Sequence, residues 1–131
     1  MKLKFFMDNN LSPRLARGMT NFRQNIMHLR DRFPQNADDE DWLEFAGQNS
    51  FFVLTRNTEI LKTPAQLDAL VKFNVGTFFM GGGNLNICDT IKQLIRNWQK
   101  IKEYAANTNR PFAFRVPASG SNFADLRKYL R

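Results

Sequence analysis

With 131 residues, 43% of them hydrophobic and thirteen of them phenylalanine, the chain suffices for one domain with a substantial core and is too apolar to be disordered. Its single cysteine, Cys88, excludes an internal disulfide and a cysteine-built zinc site. No run reaches the roughly 18 apolar residues of a membrane span and the N-terminus lacks the shape of a signal peptide, so a cytoplasmic protein is expected. The net charge of +7 is uneven: residues 1–89 balance ten Lys/Arg against ten Asp/Glu, and residues 90–131 set nine Lys/Arg against Glu103 and Asp125 alone. A polyanion meeting both regions is the simplest partner for such a distribution.

Leu3 to Met7 is an almost unbroken apolar run, as expected for a central strand covered on both faces. It stops at Asp8-Asn9-Asn10, and Ser12-Pro13 then opens a helix to about Met19, with Ser12 as N-cap and Pro13 at the first helical position. Gln24 to Leu29 reads as a modest second strand, followed by Arg30-Asp31-Arg32 and a loop over 33–37. Asp38 to Gln48 is a second helix that turns Trp42, Phe45 and Ala46 inward, and its first turn, Asp38-Asp39-Glu40-Asp41, is densely acidic.

Phe51 to Leu54 is the clearest strand after the first and leads into Thr55-Arg56-Asn57-Thr58-Glu59. Thr63-Pro64-Ala65-Gln66 has the pattern of a capping box, starting a helix to about Lys72. Val75 to Met80 is a buried strand ending at Gly81-Gly82-Gly83, a flexible turn without the Lys-Ser/Thr of a phosphate-binding loop. The longest helix spans roughly 86–105, with Ile87, Ile91, Leu94, Ile95, Trp98 and Ile101 as one inward stripe and Lys92, Arg96 and Lys100 along a solvated face. Phe112, Phe114 and Val116 alternate as a late strand, and Asn122 to Arg131 is expected to be a short terminal helix. Cys88 is expected to be a small buried hydrophobe, and His28 a strand residue with a satisfied imidazole rather than a base.

Strands alternating with helices imply right-handed βαβ crossovers and an α/β fold with a mostly parallel sheet of about five strands in one domain. That topology sends Asp8, Asp31, the acidic turn and the Asn57/Glu59 pair to the same edge, the carboxyl edge where open α/β sheets bind ligands. Capping and the helix dipole account for part of the acidic turn. Joined to Asp8 and Glu59, it also resembles a set of hard oxygen ligands for Mg²⁺ or Mn²⁺, the kind of cluster that metal-assisted phosphodiester hydrolysis uses. Arg14 and Arg56 lie near this edge as candidate phosphate contacts, and Lys92, Arg96 and Lys100 form a basic stripe as candidate contacts to a polyanion.

Three segments in order, Asp8-Asn9-Asn10-Leu11-Ser12-Pro13, Asp39-Glu40-x-Trp42 with Ala46, and Val53-Leu54-Thr55-Arg56-Asn57-x-Glu59, together resemble the PIN-like domains over about residues 3–105. The resemblance implies a metal-dependent endoribonuclease of the kind found as the toxin of bacterial toxin–antitoxin pairs. Carried over by position, it implies Asp8, Asp39 and Glu59 as catalytic residues, with Asp8, Asp39, Asn57 and Glu59 as Mg²⁺ or Mn²⁺ ligands and Asp38 or Asp41 in support. Its expected partners are RNA and a cognate antitoxin protein, with a homodimer left open. The third segment departs from the family's Thr-x-Asp-x-Asp, having Thr55-Arg56-Asn57-Thr58-Glu59, which favours as an alternative a degenerate module that binds RNA or protein without cleavage. A receiver or haloacid-dehalogenase domain also starts from an aspartate after the first strand, but Asp8-Asn9-Asn10 lacks the second aspartate of Asp-x-Asp.

Overall fold

The order of apolar strands and amphipathic helices builds a sheet covered on both faces, seen in a computed structural model that describes residues 2–130. The elements are β1 (Phe5–Met7), α1 (Pro13–Asn21), β2 (Ile26–His28), α2 (Asp39–Gln48), β3 (Phe52–Thr55), α3 (Pro64–Lys72), β4 (Gly76–Met80), α4 (Ile87–Asn107), β5 (Phe112–Val116) and β6 (Ala124–Asp125). The strand order is β2-β1-β3-β4-β5-β6, parallel throughout except for the antiparallel β5–β6 pair. Every residue of β1, β3 and β4 is buried, so these central strands are apolar on both sides rather than alternating.

The pleat sorts the core into two layers. Phe5, Met7, Phe52, Leu54, Phe78 and Phe112 point to the face covered by α1 and α4, where Trp98 packs on Phe5 with ring centroids 4.7 Å apart. Phe6, Val53, Phe79 and Ala113 point to the face covered by α2 and α3, where Trp42 stacks on Phe6 at 5.7 Å. The four crossovers do not all share one hand as expected. Connections α2 and α3 step along the strand order in one direction on one face, and α1 steps back on the other, which gives all three the same hand. Connection α4 steps forward on the face of α1, so its crossover has the opposite hand.

Ser12 caps α1, its side chain accepting from the Arg14 N–H at 3.1 Å with Pro13 next in line, as the sequence predicts. The capping box expected at Thr63 does not form: Pro64 begins α3, but the Thr63 side chain makes no cap bond and the Gln66 Oε1 is buried without a partner. The chain there emerges from a 3₁₀ turn over Thr58–Leu61, and the Thr63 N–H is already bonded to the Glu59 carbonyl.

Three further expectations are corrected. Residues 122–130 do not form a helix: Ala124–Asp125 pairs with β5 and Arg127–Leu130 is a 3₁₀ turn, with Arg131 outside the described residues. An uncovered β5 would expose a row of unpaired N–H and C=O groups, and β6 closes that edge. Cys88 is exposed rather than buried. Along α4, Leu94, Trp98 and Ile101 are buried, but Ile87, Ile91 and Ile95 are 39%, 43% and 57% exposed. The opposite flank of the buried arc is occupied by the polar residues Thr90, Gln93 and Asn97, so the helix is rotated away from the apolar stripe that spacing alone selects.

Gly47 sits where the end of α2 meets the end of α3, and a Cβ there would lie 2.1 Å from the Phe73 carbonyl oxygen. Because that contact is to backbone, it has no flexible side chain to relieve it. Gly47→Ala is expected to destabilise the fold by at least about 2 kcal/mol, against the slight gain Ala normally brings inside a helix. Urea unfolding monitored by circular dichroism measures the difference.

Candidate active site

The helices that leave β1 and β3, α1 and α3, lie on opposite faces of the sheet, so the carboxyl ends of these two adjacent strands form a topological switch point. Ligands of open α/β sheets bind in such crevices. The register brings Met7 opposite Leu54, which places the next residues, Asp8 and Thr55, side by side.

Asp8 is only 3% exposed. Its Oδ2 accepts from the Thr55 hydroxyl at 2.5 Å and its Oδ1 from the Asn10 N–H at 3.1 Å. Burial pushes its carboxyl from 3.8 up to about 7, the two hydrogen bonds oppose the shift, and the nearby Asp39 charge adds to it. Thr55 in turn accepts from the Asn57 N–H at 2.9 Å, fixing the turn that follows β3.

Asp39, half-buried in the first turn of α2, is the second carboxylate at this edge. Its Oδ1 accepts from the Trp42 indole N–H at 2.9 Å, a contact made within one helical turn, and its Oδ2 from the Asn57 amide at 3.4 Å. Asn57 therefore faces Asp39 as a hydrogen-bond donor, while its own Oδ1 accepts from the Glu59 N–H. Asn9 ties the exit of β1 to the next loop by donating to the Gln35 carbonyl and accepting from Arg30 Nε at 3.1 Å.

The other acids expected to converge do not. Glu59 is exposed and lies 3.9 Å from Lys62, its neighbour on the 3₁₀ turn. Asp38 precedes α2 without making a cap bond, and both it and Asp41 are exposed. Asp31 accepts from the His28 N–H at 2.9 Å and closes a 3₁₀ turn. Among the described residues, no group of three or more His, Cys, Asp or Glu side chains is placed to hold a metal ion. The donor set present fits a hard divalent cation held by two carboxylates, Asp8 and Asp39, with the rest of its coordination left to water. It does not fit a three-carboxylate centre.

The candidate basic residues also take up specific positions. Arg56 turns away from the carboxylates, donating to the Gly81 and Gly82 carbonyls at 2.6 and 2.8 Å, to Thr90 Oγ1 at 2.8 Å and to Gln93 Oε1 at 3.0 Å. It thus ties the end of β3 to the glycine turn and α4, and these partners occupy the guanidinium that the sequence offered to phosphate. At Gly82, φ is +78°, a conformation glycine adopts without strain and one that helps present that carbonyl to Arg56. Arg96 and Lys100 donate to the Ala118 and Ser121 carbonyls, and Lys92 is exposed on the same helix. Arg14 is exposed on α1, against α4.

His28 is 1% exposed, and both ring nitrogens are engaged. Its Nδ1 accepts from the Arg30 N–H at 3.1 Å, so the proton lies on Nε2, which donates to the Leu11 carbonyl at 2.8 Å. Burial lowers its pKa, and the ring locks β2 to the start of α1 rather than serving as a base.

A family model described as a PIN like domain matches residues 3–82, which covers β1 through β4 and every site residue from Asp8 to Glu59. The chain belongs to the PIN-like domain family. Domains of this family are typically nucleases. No curated protein and no solved structure matches the chain. In this PIN-like domain, α4, β5 and β6 lie beyond the matched segment.

Sequence reasoning gave Thr55 no role, because its bond to Asp8 crosses 47 residues and becomes visible only with the β1–β3 register. The Asp39–Trp42 contact was legible in principle, as a carboxylate and an indole three apart on one helix.

The position of Asp8 has a measurable consequence. Its carboxyl binds a proton up to about pH 7 in the metal-free native state and titrates near 3.8 when exposed. Between those values the native state holds the extra proton, so stability falls as pH rises and the loss is complete above about 7. Asp8→Asn removes this dependence. Unfolding in the presence of a chelator at pH 5 and pH 8 is expected to show the variant gaining on the wild type by about 3 kcal/mol at the higher pH, the linkage of the interval from pH 5 to about 7.

Proposed function

We propose that this PIN-like domain is a Mg²⁺- or Mn²⁺-dependent endoribonuclease acting through Asp8 and Asp39, and that it is the toxin of a toxin–antitoxin pair. The observation that carries the catalytic reading is the buried Asp8 carboxyl beside Asp39 at the β1–β3 crevice. Burying two neighbouring carboxyl groups is unfavourable unless a proton or a cation compensates them. A divalent ion held there would supply Lewis-acid polarisation of a phosphodiester and activation of a water.

The chain's own residues supply the rest. Thr55 and the Asn10 N–H hold both Asp8 oxygens in one orientation, and Trp42 fixes Asp39. Asn57 sets the Asp39 carboxylate from the other side without adding charge. The basic surplus of residues 90–131 supports RNA as the substrate, with Lys92, Arg96 and Lys100 reaching phosphates rather than base edges.

The Asn57–Asp39 hydrogen bond also favours a second reading, a degenerate domain that binds RNA without cutting it. An amide donor in the position of a third acid satisfies Asp39 in the absence of a metal.

Metal titration separates the two readings. Under the nuclease reading, Mn²⁺ binds the wild type in calorimetry and RNA is cleaved, and Asp8→Asn loses both while keeping its circular dichroism spectrum. Asn57→Asp adds a carboxylate and removes the donor to Asp39. It should tighten Mn²⁺ binding about tenfold, roughly 1.4 kcal/mol. A wild type that neither binds Mn²⁺ nor cleaves RNA, beside an Asn57→Asp variant that binds it, would establish the degenerate reading.

A further inference from the structure

The amino ends of the strands, opposite the end that carries Asp8, hold a cavity of a different character. It measures about 360 Å³, and Lys2, Arg23 and Lys102 line it together with Gln24, Asn25 and Phe5. The Phe5 N–H donates to the Asn25 carbonyl at 2.9 Å, so the cavity lies where β1 and β2 begin, beside the last turns of α4. Every charged side chain lining it is a cation. Residues 1–7 and 9–30 contain no acid, and Glu103, next to Lys102 in sequence, lines a separate cavity with Lys100 and Tyr104. Among the described residues, none of the three cations forms a salt bridge. Like charges gathered in this way repel one another, and an anion shared between them relieves the repulsion.

Arg23 also stands where the backbone favours glycine. It follows the end of α1 with φ +66°, its N–H bonded to the Thr20 carbonyl and the Gln24 N–H to the Met19 carbonyl, both at 2.9 Å. This is the Schellman ending, whose left-handed residue is usually glycine. Arginine bears a steric cost there that glycine does not, and its guanidinium lines the cavity. Beside it, Gln24 Oε1 accepts from the Trp98 indole N–H at 2.9 Å, which ties the exit of α1 to α4 and holds the two sides of the cavity together.

Three cationic groups, one of them a planar fork of donors, match a terminal phosphate, which carries a charge of about −1.5 to −2 at pH 7 and three acceptor oxygens. A phosphodiester or a carboxylate brings only a single charge. Phe5 is 1% exposed and offers no ring face for stacking, so recognition falls on the phosphate rather than on a base. We propose that this cavity binds a terminal phosphate group, held by Lys2, Arg23 and Lys102. An RNA end and a free nucleotide both present that group. The site uses neither Asp8 nor Asp39, and the inference is independent of the nuclease reading.

The test titrates the whole protein, in chelator so that nothing is cleaved, with a short oligoribonucleotide labelled at its 3′ end and read by fluorescence anisotropy. One form carries a 5′-phosphate and the other a 5′-hydroxyl. The phosphorylated strand is expected to bind roughly tenfold more tightly, with the difference shrinking as salt is raised. Arg23→Gly and Lys102→Ala should each reduce that difference at least about threefold and together abolish it. Arg23→Gly should melt at or above the wild-type temperature, because glycine takes the left-handed conformation freely, so its loss of binding is not a loss of fold. Adenosine 5′-monophosphate as competitor distinguishes the sources. If it matches the affinity of the phosphorylated strand, the site takes a free nucleotide; weaker or no displacement assigns it to an RNA end. Equal binding of the two strands, or a preference that survives the double variant, overturns the proposal. RNA cleavage with Mn²⁺ is read separately, so failure here leaves the catalytic reading untouched.

Discussion

The hydrogen bond from Thr55 to Asp8 joins the ends of the two central strands at the point where the chain's winding reverses. On either side of it, β1 and β3 are buried on both faces, and the Asp8 carboxyl, only 3% exposed, lies directly at their carboxyl ends. Without Thr55 and the Asn10 N–H, Asp8 would be a buried acid with no partner, which costs several kcal/mol. With them it is held in one orientation but still protonated up to about pH 7, a group poised between a proton and a cation.

Neighbouring features serve to keep that edge in shape. Arg56 bridges β3 to the glycine turn after β4 and to α4, and His28 bridges β2 to the start of α1. Arg56, a candidate phosphate contact by sequence, and His28, expected to be a satisfied strand imidazole, thus both act as fasteners, with most of their polar atoms satisfied inside the protein. The acids at the edge divide likewise. Asp8 and Asp39 have directed partners, whereas Asp38, Asp41 and Glu59 lie in solvent. A row of four acids in a first turn spreads around the helix, so only one of them is aimed at the neighbouring strand's end.

The α4 helix shows how an apolar pattern and a buried face differ. Its six large apolar residues read as one stripe, but the sheet covers only part of that arc, because Thr90, Gln93 and Asn97 are drawn in on the other flank. Gln93 is held there by carbonyls at Gly81 and Pro117, and Asn97 by the Gln93 carbonyl. Buried polar side chains must be hydrogen-bonded, and those partners exist only in the assembled fold. The rotation that satisfies them leaves Ile87, Ile91 and Ile95 at the surface, facing α1.

By itself the sequence determined the α/β class, the order of strands and helices through β5, the start of α1 at Ser12 and Pro13, and a set of acids, Asp8 and the Asp38–Asp41 turn among them, directed toward one edge. Each of these is written in local patterns: apolar runs, helical spacing, capping residues, and an acid directly after a strand. Tertiary structure alone decided that Thr55 bonds Asp8, that Asn57 faces Asp39 and that Glu59 does not join them. It also decided that the last residues add an edge strand and that α4 crosses with the opposite hand. All of these depend on which strands pair and in what register, and the residues involved lie up to 47 positions apart. Local propensity holds no information about such pairings; the packing of the whole sheet selects them.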